Sequence, residues 1–340
     1  MIAIRVDANN KIGSGHLMRC MAVARRLKKI GEKVLFIVAD DTKKDLILKE
    51  GFEFLSLNSE YDLLDKETDK VISAIKMYNI KIILIDSYFV TQNYFFNIRK
   101  YAKIAYFDDT NNFIYNHVDF IINYNFNYEE YKYFEKYYNK DTKLLLGPVY
   151  APLREEFENM PPKNIKRNVE DILITTGGTD NYNLCGEISK KLLLKTDAII
   201  HIAVGPFFKY KNILQDIAKN NKNIILHENA NMNNLMQKCD IAVSTSGSTV
   251  YELCACGMPS VLLTIAENQF GICNFMSKHK YALYSGNYNE NIVLNVIDNV
   301  MLLINNKQIR DEISFLVSKL VDGNGAERIA SILITSKKAV

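Results

Sequence analysis

Ile2-Ala3-Ile4-Arg5-Val6-Asp7-Ala8-Asn9-Asn10-Lys11-Ile12-Gly13-Ser14-Gly15-His16-Leu17-Met18-Arg19-Cys20 is the stretch on which the fold turns. Ile2, Ile4 and Val6 alternate with Ala3 and Arg5, and the run breaks into a turn holding two glycines. Residues 17–30 then carry apolar side chains at helical spacing, with lysines and arginines between them. This reads as strand, loop and helix, the opening of an α/β domain. Gly13 and Gly15 let the backbone approach a ligand, and the unpaired N–H groups of a helix start favour an anion such as phosphate. A dinucleotide fingerprint does not follow, because Met18 stands where the third glycine would allow close helix–strand packing. For His16, at the helix start, the turn alone leaves two roles open: a solvated or capping side chain, or a catalyst.

A chain of 340 residues is long enough for two ordinary domains, and 48% hydrophobic residues is a normal globular content. The 42 basic and 39 acidic residues leave a net charge of +3 with no dense basic block, which argues against a nucleic-acid partner. The six cysteines, Cys20, Cys185, Cys239, Cys254, Cys256 and Cys273, lack paired C-x-x-C spacing and read as reduced thiols, not as a zinc site or a disulfide framework. No apolar run approaches a membrane span or a signal core, so the expectation is a cytoplasmic protein without membrane insertion.

Apolar runs at 33–39, 52–57, 81–86, 103–107 and 120–122 alternate with helical patterns at 43–50 and 65–78, which predicts a doubly wound parallel sheet. Two of these strands end in Asp86-Ser87-Tyr88 and in Asp108-Asp109, at the edge where such sheets bind ligands; helix capping and turn formation account for aspartates there equally well. The tyrosine-rich segment 124–138 reads as a partly exposed helix. The organisation expected is an amino-terminal domain over 1–150, a linker over 151–165, and a second domain over 166–340 that includes a carboxyl-terminal helix.

The second domain repeats the opening. Residues 171–175 form a strand, Thr176-Gly177-Gly178-Thr179-Asp180 a glycine turn and 184–195 a helix. A strand over 241–244 then feeds Thr245-Ser246-Gly247-Ser248-Thr249 and a helix over 250–256. The hydroxyls and amides of Ser246, Gly247, Ser248 and Thr249 suit a diphosphate, and Glu252, one turn into the helix, suits a ribose diol; a capped helix with an exposed glutamate is the plainer alternative. His117, His201, His227 and His279 are isolated, show no metal-ligand spacing and read as structural.

Two α/β domains with glycine turns suggest the GT-B architecture, two Rossmann-like doubly wound parallel-sheet domains with an interdomain cleft. Ser244 to Thr249, Glu252, Gly257-Met258-Pro259, Asn268-Gln269 and Asn274 resemble the nucleotide-binding half of the MurG-type glycosyltransferases. Arg5-x-Asp7, Ile12-Gly13-x-Gly15-His16-x-x-Arg19, Asp86-x-Tyr88, Phe107-Asp108-Asp109, Gly147-Pro148-x-Tyr150-Ala151-x-Leu153-Arg154 and Gly177-Gly178-Thr179-Asp180 resemble a narrower group. This is the PseG family, hydrolases of UDP-2,4-diacetamido-2,4,6-trideoxy-β-L-altropyranose in pseudaminic acid biosynthesis, with the spore-coat polysaccharide protein SpsG as a similar member.

The resemblance implies an inverting hydrolysis in which water replaces UDP at the anomeric carbon without metal or cofactor. It places His16 on the catalytic histidine, Tyr88 on a tyrosine near it and Asn268 on an asparagine lining the substrate pocket. It adds Asp7, Gly13, Gly15, Arg154, Gly178 and Gln269 to Ser246, Gly247, Ser248, Thr249 and Glu252 as substrate- and UDP-binding residues. Pro152 departs from the larger apolar residue common in the family, which bears on linker shape. The chemistry is compatible: UDP is a good leaving group, a neutral imidazole can take a proton from water, and no Asp-x-Asp metal clamp occurs. Two rivals share the UDP motifs, a MurG-like glycosyltransferase using another acceptor and a non-catalytic sugar-nucleotide binder.

Overall fold

The computed structural model describes residues 1–9 and 12–338; Asn10, Lys11 and the side chain of Asn268 lie outside the described residues. The chain divides into two units, Met1–Glu155 with Asn324–Val340, and Glu156–Gly323.

The first unit is built on seven strands: β1 (Ile2–Val6), β2 (Val34–Val38), β3 (Glu53–Ser56), β4 (Ile82–Asp86), β5 (Lys103–Phe107), β6 (Phe120–Asn123) and β7 (Lys143–Leu146). They pair in parallel in the order β3-β2-β1-β4-β5-β6-β7. Helices cover both faces of this sheet, so β1, β2 and β4 are buried along their whole length and are apolar except for Arg5 in β1 and Asp86 at the end of β4. Alternate residues go to opposite sides. Ile2, Ile4, Val6, Phe36 and Leu84 join one core, while Ala3, Leu35, Ile37, Ile83 and Ile85 join the other.

The first core is closed by Leu17, Met21, Ala24 and Leu27 of the helix Gly15–Lys29 and by Ala326, Ile329, Ala330 and Leu333 of the helix Gly325–Lys338. This corrects the expectation that the carboxyl-terminal helix belongs to the second domain. The physical reason is its apolar stripe, which covers the first sheet and is fastened there by Lys337 to Glu32 at 2.7 Å and by Lys103 Nζ to the Ser336 carbonyl at 3.0 Å. The tyrosine-rich segment is two short turns, Tyr128–Tyr131 and Tyr133–Lys136, with Phe126, Tyr133 and Tyr137 buried.

The second unit holds β8 (Asp171–Thr175), β9 (Ile199–Val204), β10 (Ile224–Glu228), β11 (Ile241–Thr245), β12 (Ser260–Thr264) and β13 (Leu283–Asn287). These also pair in parallel, in the order β10-β9-β8-β11-β12-β13. Two cations, the half-buried Lys163 and the buried Arg310, tie its irregular entry segment down. Lys163 Nζ donates to the carbonyls of Met236, Gln237 and Cys239 at the end of helix Met232–Lys238, and the Arg310 guanidinium donates to Leu303, Ile304, Lys166 and Arg167 carbonyls.

In each unit the order reverses beside the first strand, between β1 and β4 and between β8 and β11. Open α/β sheets bind ligands at the carboxyl ends of the strands flanking such a reversal. Among the described residues, no helix is long and apolar enough to cross a membrane.

Candidate functional site

At the reversal of the first sheet, the chain leaves β1 through a closed turn. The Gly13 N–H donates to the Asn9 carbonyl at 2.8 Å, the Asn9 side chain accepts the Ile12 N–H at 3.1 Å, and Gly13 takes a φ of +74°, which favours glycine. The helix Gly15–Lys29 follows, and His16 is its second residue.

Its Nδ1 lies 2.5 Å from Oδ1 of Asp86, the last residue of β4. Arg19, one turn along the same helix face, donates Nε to Asp86 Oδ2 and Nη2 to Oδ1, both at 2.6 Å. Arg19 Nη1 also donates to Asp109 Oδ1 and to the Tyr124 hydroxyl, each at 2.9 Å, while its guanidinium stacks over the Phe107 ring at 4.6 Å. The Tyr88 ring meets the His16 ring edge-on at 4.6 Å, and its hydroxyl lies 3.4 Å from Asp109 Oδ2.

The charges fix the proton positions. Burial alone would raise the Asp86 carboxyl, but the Arg19 charge and the hydrogen bonds from Arg19 and His16 outweigh it and hold Asp86 well below the usual carboxylate range. An anionic Asp86 accepts from His16, so Nδ1 carries the hydrogen, and the tautomer this selects for the neutral ring has its lone pair on Nε2. The 3.1 Å approach of Arg19 Nη2 to the same Nδ1 is a donor–donor contact set by their shared carboxylate. Burial, and next the Asp109 charge, push the Tyr88 phenol above its ordinary value, so Tyr88 is a donor and not a base. The constellation is an oriented imidazole at 9% exposure with a half-exposed phenol beside it.

Asp86, Arg19, Asp109 and Tyr124 were not among the expected site residues. The aspartates at the strand ends were visible in sequence, as was Arg19 at i+3 from His16; their convergence on one carboxylate was not. Asp7 faces a different set: Oδ2 accepts from Arg5 Nη1 at 2.6 Å and Oδ1 from the Ala39 N–H at 2.7 Å. One oxygen thus serves the buried Arg5, which also pairs with Glu67 at 2.6 Å, and the other serves the Ala39 amide. Arg154 is half-buried in the segment before helix Glu155–Phe157.

In the second unit, β8 runs into Thr176 to Asp180, with Gly177 at φ +80°. The Asp180 carboxylate accepts the N–H groups of Leu184 and Cys185 at 2.8 and 3.0 Å and so caps the helix Leu184–Leu192. After β11, the Ser246 hydroxyl points inward, to the Leu263 carbonyl at 3.2 Å and the Cys273 sulfur at 2.5 Å. Gly247 has open space around the position a β-carbon would take, Ser248 is exposed, and Thr249 and Glu252 are half-buried on the helix Thr249–Ala255. Gln269 accepts the Ile265 N–H at 2.9 Å, and the Asn268 side chain lies outside the described residues. Among the described residues, no group of three His, Cys, Asp or Glu side chains is arranged to hold a metal ion.

No family model matches the chain. It is 29% identical over 282 residues to an uncharacterized protein of Methanocaldococcus jannaschii, covering 79% of this chain and 56% of that protein's length. It is 26% identical over 283 residues to the UDP-2,4-diacetamido-2,4,6-trideoxy-beta-L-altropyranose hydrolase of Campylobacter jejuni, covering 82% and 97%. It is 21% identical to the spore coat polysaccharide biosynthesis protein SpsG of Bacillus subtilis, over 98% and 97%. The crystal structure of MurG from Acinetobacter baumannii superposes with a TM-score of 0.72 at 13% identity, covering 98% of this chain and 99% of that one. Likeness at that identity establishes the fold, which is GT-B.

Proposed function

We propose that this chain, a member of the PseG- and SpsG-like proteins of GT-B fold, hydrolyses a UDP-linked sugar, UDP-2,4-diacetamido-2,4,6-trideoxy-β-L-altropyranose or a close relative, in pseudaminic acid or related nonulosonate biosynthesis. The observation that carries the reading is the pairing of His16 Nδ1 with Asp86, which leaves Nε2 able to accept a proton. In the proposed step, water attacks the anomeric carbon and gives its proton to His16 Nε2. The bond from that carbon to the diphosphate oxygen breaks, its electron pair leaves with UDP, and the sugar is released with inverted configuration. Asp86 stabilises the imidazolium that forms, as the carboxylate of a Ser-His-Asp triad does. Tyr88 donates a hydrogen bond beside the base.

The second unit is proposed to hold UDP through the small residues Gly178, Gly247, Ser248 and Thr249 and the backbone of Ser246, with Glu252 on the ribose. Asn268, Gln269 and Arg154 are proposed to complete the sugar pocket, and Gly13 and Gly15 to let the backbone approach it. The bonds of Asp7 to Arg5 and Ala39 support a supporting role for that residue instead of direct contact.

The test is incubation with the UDP-linked diacetamido sugar in the absence of any acceptor, following products by NMR. The expected result is UDP and free sugar in equal amounts, with the first-formed anomer inverted. UDP release that requires an added acceptor would replace this reading with a glycosyltransferase, and binding without release would replace it with a sugar-nucleotide sensor.

A further inference from the structure

We propose that Phe207 is the platform on which the heterocyclic base of the ligand stacks, an assignment that rests on the nucleotide reading of the second unit and extends it. Phe207 lies in the turn after β9 and is 64% exposed, so its ring is open to a ligand. The turn is not loose. The Phe207 N–H donates to the Gly178 carbonyl at 3.0 Å, so the loop after β9 is bonded to the glycine turn after β8. At Gly205 a β-carbon would sit 2.3 Å from the Gly177 carbonyl oxygen and 2.6 Å from that of Gly178, and backbone atoms cannot swing aside. Only glycine permits this approach. A β-carbon at Gly178 would in turn lie 4.0 Å from Phe207 Cδ2, so the ring rests directly against the turn.

Position then decides what the ring can meet. β9 neighbours β8 on the side away from β11, so the Phe207 turn and the Ser246–Thr249 turn stand at the same carboxyl edge, two strand spacings apart. That separation is about 10 Å, within the length of an extended nucleoside diphosphate. A ligand with its phosphates at the turn after β11 and its ribose at Glu252 can direct its base along this edge toward Phe207. The other exposed aromatics at the edge, Tyr182 and Tyr288, stack on one another at 3.8 Å and 22°, which covers one face of each. Every base has a π-face, so a stacking ring supplies affinity without choosing among bases. Base selection would then fall to other groups.

The chain contains no tryptophan, so Phe207→Trp installs a single fluorophore at the proposed contact. Titration of that variant with UDP is expected to quench the tryptophan emission at the same midpoint that calorimetry gives for binding. Phe207→Ala, at an exposed position, is expected to keep the wild-type melting temperature, to bind UDP about tenfold more weakly, and to leave competition by inorganic pyrophosphate unchanged. Unaltered emission at saturating UDP, or wild-type UDP affinity in Phe207→Ala, would overturn the assignment while leaving the nucleotide site intact. Wild-type protein that binds no UDP would instead remove the nucleotide reading itself, and the stacking role with it.

Discussion

The two units share one strand order, yet they load opposite ends of their sheets. In the first, His16, Arg19, Asp86 and Asp109 meet at the carboxyl edge, buried or half-buried and held by 2.5–2.9 Å contacts. In the second, that edge is made of Thr176, Gly177, Gly178, Ser246, Gly247, Ser248 and Thr249, with the buried Asp180 capping a helix, while an ionic cluster sits at the amino edge. There Asp240 accepts the N–H groups of Glu170 and Asp171, and Asp171 pairs with His201 at 2.8 Å. Topology supplies an edge where a ligand can sit. The residues placed on it decide whether that edge presents an imidazole held by a carboxylate or offers backbone and open space.

The sharpest way to break this contrast is His16→Asn. It is expected to lower turnover about a thousandfold, in the range ascribed to a positioned general base, while UDP affinity measured by calorimetry stays near wild type. A variant that keeps its rate would leave the first edge with no proton-transfer role. Asp86→Asn comes next. Turnover is expected to fall about a hundredfold because the amide no longer fixes the imidazole tautomer or stabilises its cation. Stability should also drop, by about 3–5 kcal/mol, since Arg19 loses a buried partner. A melting curve and a progress curve on the same sample separate the two effects. Full activity in Asp86→Asn would show that the imidazole is oriented by something else.

Much of this division is legible in the amino-acid sequence. Unbroken apolar runs gave the interior strands, and the paired glycine turns marked the carboxyl edges at Gly13–Gly15 and Gly177–Gly178. What was hidden depends on pairing across long stretches of chain. Asp86 is 70 residues from His16 and 67 from Arg19, and nothing local distinguishes it from a capping aspartate. The Arg5-x-Asp7 motif looked like part of a site, but its charges close on Glu67 and the Ala39 amide inside the fold. One edge strand, β13, is hidden for a different reason. β13 contains Tyr284-Ser285-Gly286, with Gly286 at φ +104°, and carries no apolar run to read. The stripe of the last helix is plain in sequence, but which sheet it covers is a tertiary choice.

A milder change tests the second edge. A β-carbon at Gly247 meets nothing within 4 Å, and this glycine does not use positive φ, so Gly247→Ala should leave the melting temperature unchanged. The added methyl would occupy the space proposed for phosphate, and UDP affinity is expected to fall about tenfold, or ~1.4 kcal/mol. Unchanged affinity would move the diphosphate away from the turn after β11.

The smallest expected effect belongs to the histidine pair on β9 and β10. His227 Nε2 lies 2.9 Å from His201 Nδ1, and His201 Nε2 contacts Asp171, with Lys238 and Lys166 also facing that carboxylate. Burial, then the neighbouring His201 and Lys238 charges, hold the His227 imidazole below its ordinary value of 6.5. The unfolded chain therefore binds this proton more readily than the folded one. The stability contribution is intact above pH 6.5 and is lost as pH falls from there through the lower folded value. The Asp171 carboxyl is raised by burial but more strongly lowered by the His201 hydrogen bond and the Lys238 charge, so its own loss comes only below 3.8. His227→Gln keeps a donor toward His201 and cannot titrate. Its unfolding free energy should be flatter than wild type between pH 6.5 and 5, with no change in UDP affinity at pH 7.5, because the substitution lies on β10 and not on the turns that would hold the nucleotide. An unchanged pH slope in urea titrations would mean that the proton is taken up elsewhere in this unit.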